Sequence, residues 1–453
     1  MKIVSLNPAT EETNKEFEAL SKKDALAAAK ASRTAFAAWS TLDVAERAGH
    51  LKQLASVLRK NASEYAHLIT IEMGKPIKDA QSEIEKCAWT AEYYADNAER
   101  FVAEELVQTD AAKSYVSFAP LGTILSIMPW NFPFWQALRF GLPALAAGNA
   151  VLLRHSNVVP QCSLAIASAF REAGFPDHVF ASVLTDHDTV KALIRSPAIA
   201  AVSLTGSTGA GGSVAQYAGK HLKKVVLELG GSDPFIVLED ANVAAAAKAA
   251  AQSRFMNAGQ SCIAAKRFIV SHAVAEEFTS RFVEEVRKLN VGNPLDPATD
   301  VGPLCRGEQR DALEAQVRDA VSKGATVLTG GKRPEGKGYF YELTVLGNVT
   351  PKMQVMIQEV FGPVAPVITV KNELQAVKMA NNSEFGLGAS VWTTPGRGEQ
   401  LARRLEAGFV AVNRTVKSDA RLPFGGIKKS GIGRELSHYG LKEFVNIKTV
   451  VVG

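Results

Sequence analysis

Residues 123–133 read TILSIMPWNFP, a mostly apolar run that ends in a short segment held between two prolines. Similar short runs follow along the chain, separated by stretches with helical periodicity. The predicted strands are Thr123 to Met128, Ala150 to Leu153, Val179 to Leu184, Ala201 to Thr205 and Val225 to Leu229. Alternation of strands with helices is typical of parallel βα units, so five such strands predict a doubly wound sheet.

A second alternating series follows the first. It begins with a strand from Pro234 to Leu238, continues through an alanine-rich helix from Val243 to about Arg254, and runs on to Phe409 to Asn413. The series predicts a second α/β domain. Two strand-like segments, Tyr115 to Phe118 and Ile447 to Val452, fit neither sheet, and they could pair into an extension that serves oligomer contact.

The first hundred residues read as helices. Ser21 and Asp24 have the spacing of a capping box ahead of a helix from Ala25 to Trp39, and Asp43 and Glu46 repeat that spacing. These signals predict structure and carry no chemistry.

The composition excludes several classes of protein. The 453 residues include 51 Lys and Arg against 46 Asp and Glu, and the basic residues are scattered, which argues against a nucleic-acid partner. No stretch approaches the roughly 18 apolar residues of a membrane span. The four cysteines lie far apart and suggest no disulfide framework, so we expect a cytoplasmic protein with reduced thiols.

The carboxyl ends of parallel strands gather ligand-binding loops at one edge of a sheet. Pro129 to Pro133, Arg154 to Asn157 and Thr205 to Gly212 should therefore line one crevice. The glycine-rich turn in the last segment suits a phosphate, or simply a strand-to-helix connection that needs small residues. The dinucleotide pattern Gly-x-Gly-x-x-Gly is absent.

Three residues could carry chemistry. Cys262 ends the polar loop NAGQSC and is either an accessible nucleophile or a small buried hydrophobe. Glu228 lies among apolar strand residues, where desolvation would suit a general base but an ion pair is the alternative. Asn131, between two prolines, could hold an oxyanion or be a plain turn residue.

The other candidate groups give weaker signals. Cys87, Cys162 and Cys305 are interpreted as structural. The eight histidines include no pair spaced for a metal, and none can be placed beside Cys262, as a thiol hydrolase would need.

Ordered motifs along nearly the whole chain resemble the NAD(P)-dependent aldehyde dehydrogenase superfamily. The segments are Asn7 to Thr10, Pro129 to Pro133, Thr205 to Thr208, Leu227 to Gly231, Gly259 to Cys262, Glu359 to Pro363 and Pro423 to Gly426. The resemblance implies an α/β fold with a Rossmann-type cofactor domain (1–101 and 119–229), an α/β catalytic domain (230–432) and a small β bridging extension (102–118 and 433–453). It also implies a homodimer or homotetramer.

The resemblance further implies a mechanism. Cys262 would attack the aldehyde, the Asn131 amide and the Cys262 backbone N–H would hold the oxyanion, and hydride would pass to the nicotinamide. Water would then hydrolyse the thioester with Glu228 as general base. A coenzyme A-acylating enzyme is a rival, but that branch lacks the glutamate.

Cofactor contacts carry over in the same way. The implied residues are Trp130, Arg154, Ser156, Asn157, Gly206, Ser207, Glu359 and Phe361. Where many members have a lysine and a glutamate, this chain has Arg154 and Asn157, which would accept the 2′-phosphate that glutamate repels. We therefore predict NADP, with NAD as a possible second cofactor.

The tail around Lys417 to Arg421 resembles that of short bacterial succinate-semialdehyde dehydrogenases, which predicts succinate semialdehyde as substrate. Arg139 would bind its carboxylate, or else be an exposed helix arginine, and Ser418 is a second candidate. Met256 stands where some members have a second arginine, so a general aliphatic aldehyde dehydrogenase is the alternative. A thiol esterase or hydrolase is the alternative from another class.

Overall fold

The computed structural model describes all 453 residues. The helices are α1 Lys22–Trp39, α2 Val44–Lys60, α3 Ala62–Met73, α4 Ile77–Val102, α5 Pro133–Ala146, α6 Pro160–Glu172, α7 His187–Arg195, α8 Thr208–Lys220, α9 Val243–Phe255, α10 Ala275–Arg287, α11 Gly307–Ser322, α12 Gln354–Ile357, α13 Glu373–Asn381, α14 Pro395–Ala402 and α15 Ser437–Lys442. Short 3₁₀ turns lie at Met256–Gly259 and His272–Val274.

The strands form five sheets. They are β1 Lys2–Leu6, β2 Thr13–Glu18, β3 Glu105–Leu106, β4 Lys113–Pro120, β5 Thr123–Met128, β6 Ala150–His155, β7 Phe180–Ser182, β8 Ile199–Thr205, β9 Lys224–Glu228, β10 Asp233–Val237, β11 Ala265–Ser271, β12 Thr326–Thr329, β13 Thr344–Gly347, β14 Val364–Val370, β15 Phe385–Gly386, β16 Gly388–Trp392, β17 Phe409–Val412, β18 Ile427–Lys428, β19 Gly431–Ile432 and β20 Val445–Val452.

The first large sheet has the order β19-β9-β8-β5-β6-β7, and all its strands except β19 run parallel. The five predicted strands are confirmed, although β6 is longer than expected and β7 is shorter. Every residue of β5 and β6 is buried, because helices cover both faces of the sheet. The carboxyl ends of β5, β6, β8 and β9 therefore share one edge, as predicted.

The second large sheet has the order β12-β13-β14-β11-β10-β16-β17. It is parallel except for the pairing of β12 with β13. Its core is a separate cluster of buried apolar residues in which Phe235, Phe268 and Phe282 pack closely. The predicted second α/β unit is thus present, and the loop that carries Cys262 leads into its strand β11.

The two unplaced segments pair with each other. Strand β20 runs antiparallel to β4, with Tyr115 opposite Val450 and Phe118 opposite Ile447, and β3 pairs with the other edge of β4. These three strands form a sheet outside both large sheets.

The expectation that the first hundred residues are all helical is wrong. Strands β1 and β2 form an antiparallel hairpin before α1. Only two positions of β1 are buried, Ile3 and Ser5, and Ser5 is polar. The strand therefore lacks the apolar alternation that would reveal it in the sequence. The helical caps do form at Ser21 and Asp43, the latter as a complete capping box. No helix in the structure is long and apolar enough to cross a membrane.

Candidate active site

The loop that carries Cys262 is held in an unusual backbone conformation. Asn257, Ala258 and Gly259 have φ values of 55°, 53° and 72°. A Cβ at Gly259 would lie 2.3 Å from the backbone oxygen of Gly362, so only glycine fits there. The Asn257 amide donates to the backbone oxygen of Asn131 at 2.9 Å, which ties the loop to the end of β5. The backbone of this loop is strained, and its strained conformation fixes Cys262 between the two large sheets.

Cys262 lies beside Glu228, the last residue of β9. The Sγ atom of Cys262 is 3.6 Å from Oε2 of Glu228, whose side chain is 1% exposed. Burial raises the pKa of Glu228 to about 8, although the Arg139 guanidinium opposes the rise. Burial, and then the Glu228 carboxylate, raise the pKa of the Cys262 thiol, while Arg139 and Lys266 act to lower it. The pair can exchange a proton directly, with the thiol as donor and the carboxylate as acceptor.

Arg139, on α5, lies between two buried carboxylates. Its Nη2 is 3.5 Å from Oε2 of Glu228 and donates to Oγ1 of Thr205 at 3.2 Å, and its Nε is 2.5 Å from Oε2 of Glu435. The side chain is 2% exposed, so the interpretation of Arg139 as an exposed helix arginine is wrong. Burial raises the pKa of Glu435 and Arg139 opposes it.

Glu435 was not predicted as a site residue. It belongs to the tail between β19 and α15, and no local pattern indicates that this carboxylate reaches α5. Sequence spacing could not have shown the contact, because about 300 residues separate Glu435 from its partner Arg139.

Asn131 follows β5 and is 4% exposed. Its Nδ2 donates to the backbone oxygen of Gln260 at 3.1 Å, and its Oδ1 is buried without a hydrogen-bond partner. The Asn131 amide therefore lies against the segment that carries Cys262, with donor hydrogens on the same side as the nucleophile loop.

Lys266 is a second residue that sequence reasoning missed. Its fully buried Nζ donates to the backbone oxygens of Cys262 at 2.6 Å and Ser261 at 2.9 Å, and it lies 3.1 Å from Oε1 of Glu359. Glu359 also accepts from the backbone N–H of Gly231 at 3.1 Å. The ion pair thus links a predicted cofactor residue to the backbone of the nucleophile. The only indication in the sequence was that Lys266, a basic residue, lies four positions after Cys262.

Most of the predicted cofactor residues lie along the edge formed by β5, β6 and β8, while Glu359 and Phe361 come from the loop before β14. Ser207 caps α8 by accepting from the backbone N–H of Ala210, and the backbone N–H of Gly206 donates to the oxygen of Glu228 at 3.0 Å. Trp130 and Phe361 meet edge to face with ring centroids 5.9 Å apart. The free N–H groups at the start of α8 offer a place for phosphate oxygens.

The turn after β6 carries Arg154, Ser156 and Asn157. Nη2 of Arg154 and Nδ2 of Asn157 both donate to the backbone oxygen of Thr185, at 3.1 and 3.4 Å. Nε of Arg154 and Oδ1 of Asn157 are buried without partners, while Oγ of Ser156 accepts from the backbone N–H of Val158. A polar turn with a guanidinium and no carboxylate of its own fits a phosphorylated ribose.

Cys262 also borders a cavity of about 500 Å³. Arg139, Ser418 and Met256 line it, and none of the lining residues is a histidine. Ser418 accepts a hydrogen bond at 2.6 Å from Nζ of Lys86. A histidine-assisted thiol hydrolase therefore lacks its base here, whereas Glu228 can serve as a base for the same thiol.

The sequence profile described as the Aldehyde dehydrogenase family matches residues 1–450, and the chain belongs to that family. The chain is 47% identical to a probable NADP⁺ succinate-semialdehyde dehydrogenase of Synechocystis sp., over 99% of both chains. It is 44% identical to an NAD(P)⁺ succinate semialdehyde dehydrogenase of Escherichia coli, over 99% of this chain and 97% of the other.

A solved structure gives the same picture at the level of the fold. The succinic semialdehyde dehydrogenase of Streptococcus pyogenes in complex with NADP⁺ superposes with a TM-score of 0.97 and 33% identity, over 99% of both chains.

Proposed function

We propose that this chain is an NADP-dependent aldehyde dehydrogenase that oxidises succinate semialdehyde to succinate, with NAD as a possible second cofactor. The observation that carries the proposal is the contact of the Cys262 thiol with the buried Glu228 carboxylate at the wall of a cavity that Arg139 also lines. The full-length similarity to enzymes named for this substrate and cofactor supports it.

Cys262 is the nucleophile in this reaction. Its thiolate adds to the aldehyde carbon and gives a tetrahedral adduct whose oxyanion accepts hydrogen bonds from the Asn131 amide and the Cys262 backbone N–H. When bound, NADP supplies the hydride acceptor that converts the adduct carbon to the thioester level. Glu228 then accepts a proton from water, the hydroxyl adds to the thioester carbon, and the acid leaves as the thiolate re-forms.

The cofactor residues fit the group they would hold. Trp130 and the α8 start at Gly206 and Ser207 face the pyrophosphate, while Glu359 and Phe361 lie toward the nicotinamide ribose and ring. Arg154, Ser156 and Asn157 surround the adenine ribose, where the Arg154 guanidinium and the lack of a carboxylate on this turn favour a 2′-phosphate.

The carboxylate end of the substrate faces Arg139 and Ser418 in this proposal. Both line the cavity with Cys262, and a four-carbon semialdehyde fits easily in about 500 Å³. The exposed Met256 on the same wall favours apolar aldehydes, which makes a general aliphatic aldehyde dehydrogenase the second candidate.

We further propose that residues 1–101 and 119–229 form the cofactor domain and residues 230–432 the catalytic domain. Residues 102–118 and 433–453 join copies of the chain into a dimer or tetramer. The supporting observation is the outlying sheet of β3, β4 and β20, which leaves Leu106, Ile447 and Val451 more than 60% exposed. A cytoplasmic location suits the four free cysteines, since Cys262 has to stay reduced.

The test is a steady-state comparison of succinate semialdehyde and hexanal, each with NADP and with NAD, followed by the absorbance of the reduced nicotinamide. We expect kcat/KM for succinate semialdehyde with NADP to be at least tenfold above the other combinations, which is about 1.4 kcal/mol of transition-state preference. Faster oxidation of hexanal would overturn the substrate assignment and favour the aliphatic alternative. A preference for NAD would overturn the cofactor assignment alone.

A further inference from the structure

The cavity beside Cys262 contains a lysine that neither the motifs nor the mechanism uses. Lys86 lies on α4, is half-buried, and lines the cavity together with Cys262 and Ser418. Its Nζ donates to Oγ of Ser418 at 2.6 Å and lies 4.0 Å from the ring centroid of Trp135. These contacts fix the ammonium group on the cavity wall.

Lys86 has no carboxylate partner within 4.0 Å, although acidic side chains are near. Glu83, one turn earlier on α4, pairs with Lys75 and accepts from the backbone N–H groups of Phe134 and Trp135. The Glu83 carboxylate is thus already committed elsewhere.

The same holds on the opposite wall. Asp419 accepts two hydrogen bonds from the Arg421 side chain, at 2.6 and 2.8 Å. The charge of Arg139 is balanced by Glu228 and Glu435. Lys86 is therefore the enclosed cation of this cavity that lacks a counter-ion, and a bound anion would supply one.

The charged and titratable neighbours of Lys86 act on it in opposite directions. They are Glu83 and Cys87 on α4, Arg139 on α5, and Lys417 and Asp419 on the loop before β18. The pKa of Lys86 is lowered to about 8, chiefly by burial; Arg139 and Lys417 also act to lower it, while Cys87 and Glu83 act to raise it. The ammonium form is therefore short of favourable interactions in the free enzyme.

We propose that Lys86, hydrogen-bonded to the Ser418 already assigned to this end of the cavity, supplies the charge that selects for a carboxylate at the far end of the aldehyde substrate. The inference rests on the proposed function, because it assigns one end of the same cavity. Ser418 accepts its hydrogen bond from Lys86, so the hydroxyl hydrogen remains free to donate to a carboxylate oxygen. Lys86 supplies the uncompensated charge, and Ser418 supplies the directed hydrogen bond.

The apolar part of the wall completes the match. Trp135 and Phe132 line the cavity between the charged groups, and both rings suit the methylene groups of a short semialdehyde. Lys86 also explains how a cavity with Met256 in place of a second arginine can still prefer a carboxylate.

The test compares succinate semialdehyde with butanal, which has the same four carbons and no carboxylate. In Lys86→Met we expect kcat/KM for succinate semialdehyde to fall about 100-fold, mainly through KM, and kcat/KM for butanal to change less than threefold. Lys86→Arg keeps the charge and should recover at least a tenfold part of the loss. Lys417→Met is the matched control, since it removes an exposed charge from the same cavity and should raise KM less than threefold.

Several results would overturn the assignment. Equal losses for both aldehydes in Lys86→Met would show a structural role, and Lys86→Gln, which can still donate to Ser418, keeps the test valid if the methionine variant does not fold. An effect of Lys417→Met as large as that of Lys86→Met would show that the charge that selects the carboxylate is not specific to Lys86. If the unmodified enzyme does not prefer succinate semialdehyde over butanal, the proposed function itself fails. If it does and Lys86→Met keeps the preference, only the role of Lys86 fails.

Discussion

The Sγ atom of Cys262 lies 3.6 Å from Oε2 of Glu228, at the carboxyl end of a fully buried strand segment. The nucleophile comes from a loop that enters the second sheet, and the base comes from the last residue of a strand in the first. The reactive pair therefore exists only where the two sheets meet, and its chemistry can be tested from either side.

Replacement of Glu228 by Gln should separate the two halves of the reaction. We expect the steady-state rate to fall by about 10²- to 10⁴-fold, because the water that attacks the thioester loses its base. The first turnover should still release one reduced nicotinamide per active site, measured by rapid mixing. Cys262→Ser should show neither phase. Loss of the first turnover in Glu228→Gln would mean that Glu228 is already needed to deprotonate Cys262.

The rate of acid formation should rise with pH through about 8. Only the carboxylate form of Glu228 accepts a proton, and burial raises its pKa to about 8, so about one tenth is ionised at pH 7. If kcat follows the ionised fraction of Glu228, it should increase about 25-fold between pH 6.5 and pH 8.5 and level off above about pH 9. This rise of kcat with pH, the pH limb, should be absent in Glu228→Gln. A wild-type profile that is flat over this range would contradict a base with a raised pKa.

Arg139 and Glu435 should move that pH limb in opposite directions. Arg139 lowers the pKa of Glu228 and Glu435 raises it. Arg139→Gln should therefore shift the limb to higher pH, and Glu435→Gln should shift it to lower pH, each by roughly half a unit or more. Loss of one partner from a buried ion pair costs about 3–5 kcal/mol of stability. Thermal denaturation is therefore the control, because it shows whether each variant is still folded under the conditions of the assay. Shifts of the same sign in both variants would exclude the charge arrangement described above.

Asn157→Glu should abolish the preference for NADP over NAD. The new carboxylate would repel a 2′-phosphate held by Arg154, so we expect kcat/KM with NADP to fall at least tenfold while kcat/KM with NAD changes little. Asn157→Ala removes the amide without adding charge and should alter the ratio much less. An unchanged ratio of NADP to NAD efficiency in Asn157→Glu would place the 2′-phosphate elsewhere.

Gly259→Ala should damage both stability and activity. The added Cβ would meet the Gly362 oxygen at 2.3 Å and would have to adopt a φ of 72°, so we expect the melting temperature to drop by several degrees and kcat to fall more than tenfold. Gly49→Ala is the matched change, because Gly49 is exposed within α2 with open space around its Cβ position. It should raise stability by about 0.5–1 kcal/mol. Equal effects at the two glycines would contradict the strained loop.

Much of this architecture follows from local sequence patterns. The strands β5, β6, β8 and β9 are visible as apolar runs because both faces of the sheet are covered, and their order of appearance already predicts that their ends meet. Strand β1 was missed because it buries one apolar and one polar side chain. Periodicity reports burial on a repeating face, and two positions are too few to repeat.

For the candidate site, the sequence could predict the reactive residues but not the contacts of their partners. Cys262, Glu228 and Asn131 stand in recognisable local settings, so the sequence could nominate them. The contacts of Arg139, Glu435, Lys266 and Lys86 could not be predicted, because each of these residues acts on a residue that only the fold brings near. Charges that neutralise one another across the chain leave no trace in local spacing.

Strands near the carboxyl end of the chain pair with strands made much earlier, so folding can be completed only late in synthesis. Strand β4 finds its partner β20 about 325 residues later, and Glu228 has its backbone neighbour Gly431 only on the arrival of β19. At about 5–20 residues per second, a ribosome needs about 15–65 s to supply that partner after β4 is made. During that interval an unpaired eight-residue edge is open to chaperones or to other nascent chains. A product that ends before β19 would contain the nucleophile without the strand that closes the sheet around its base.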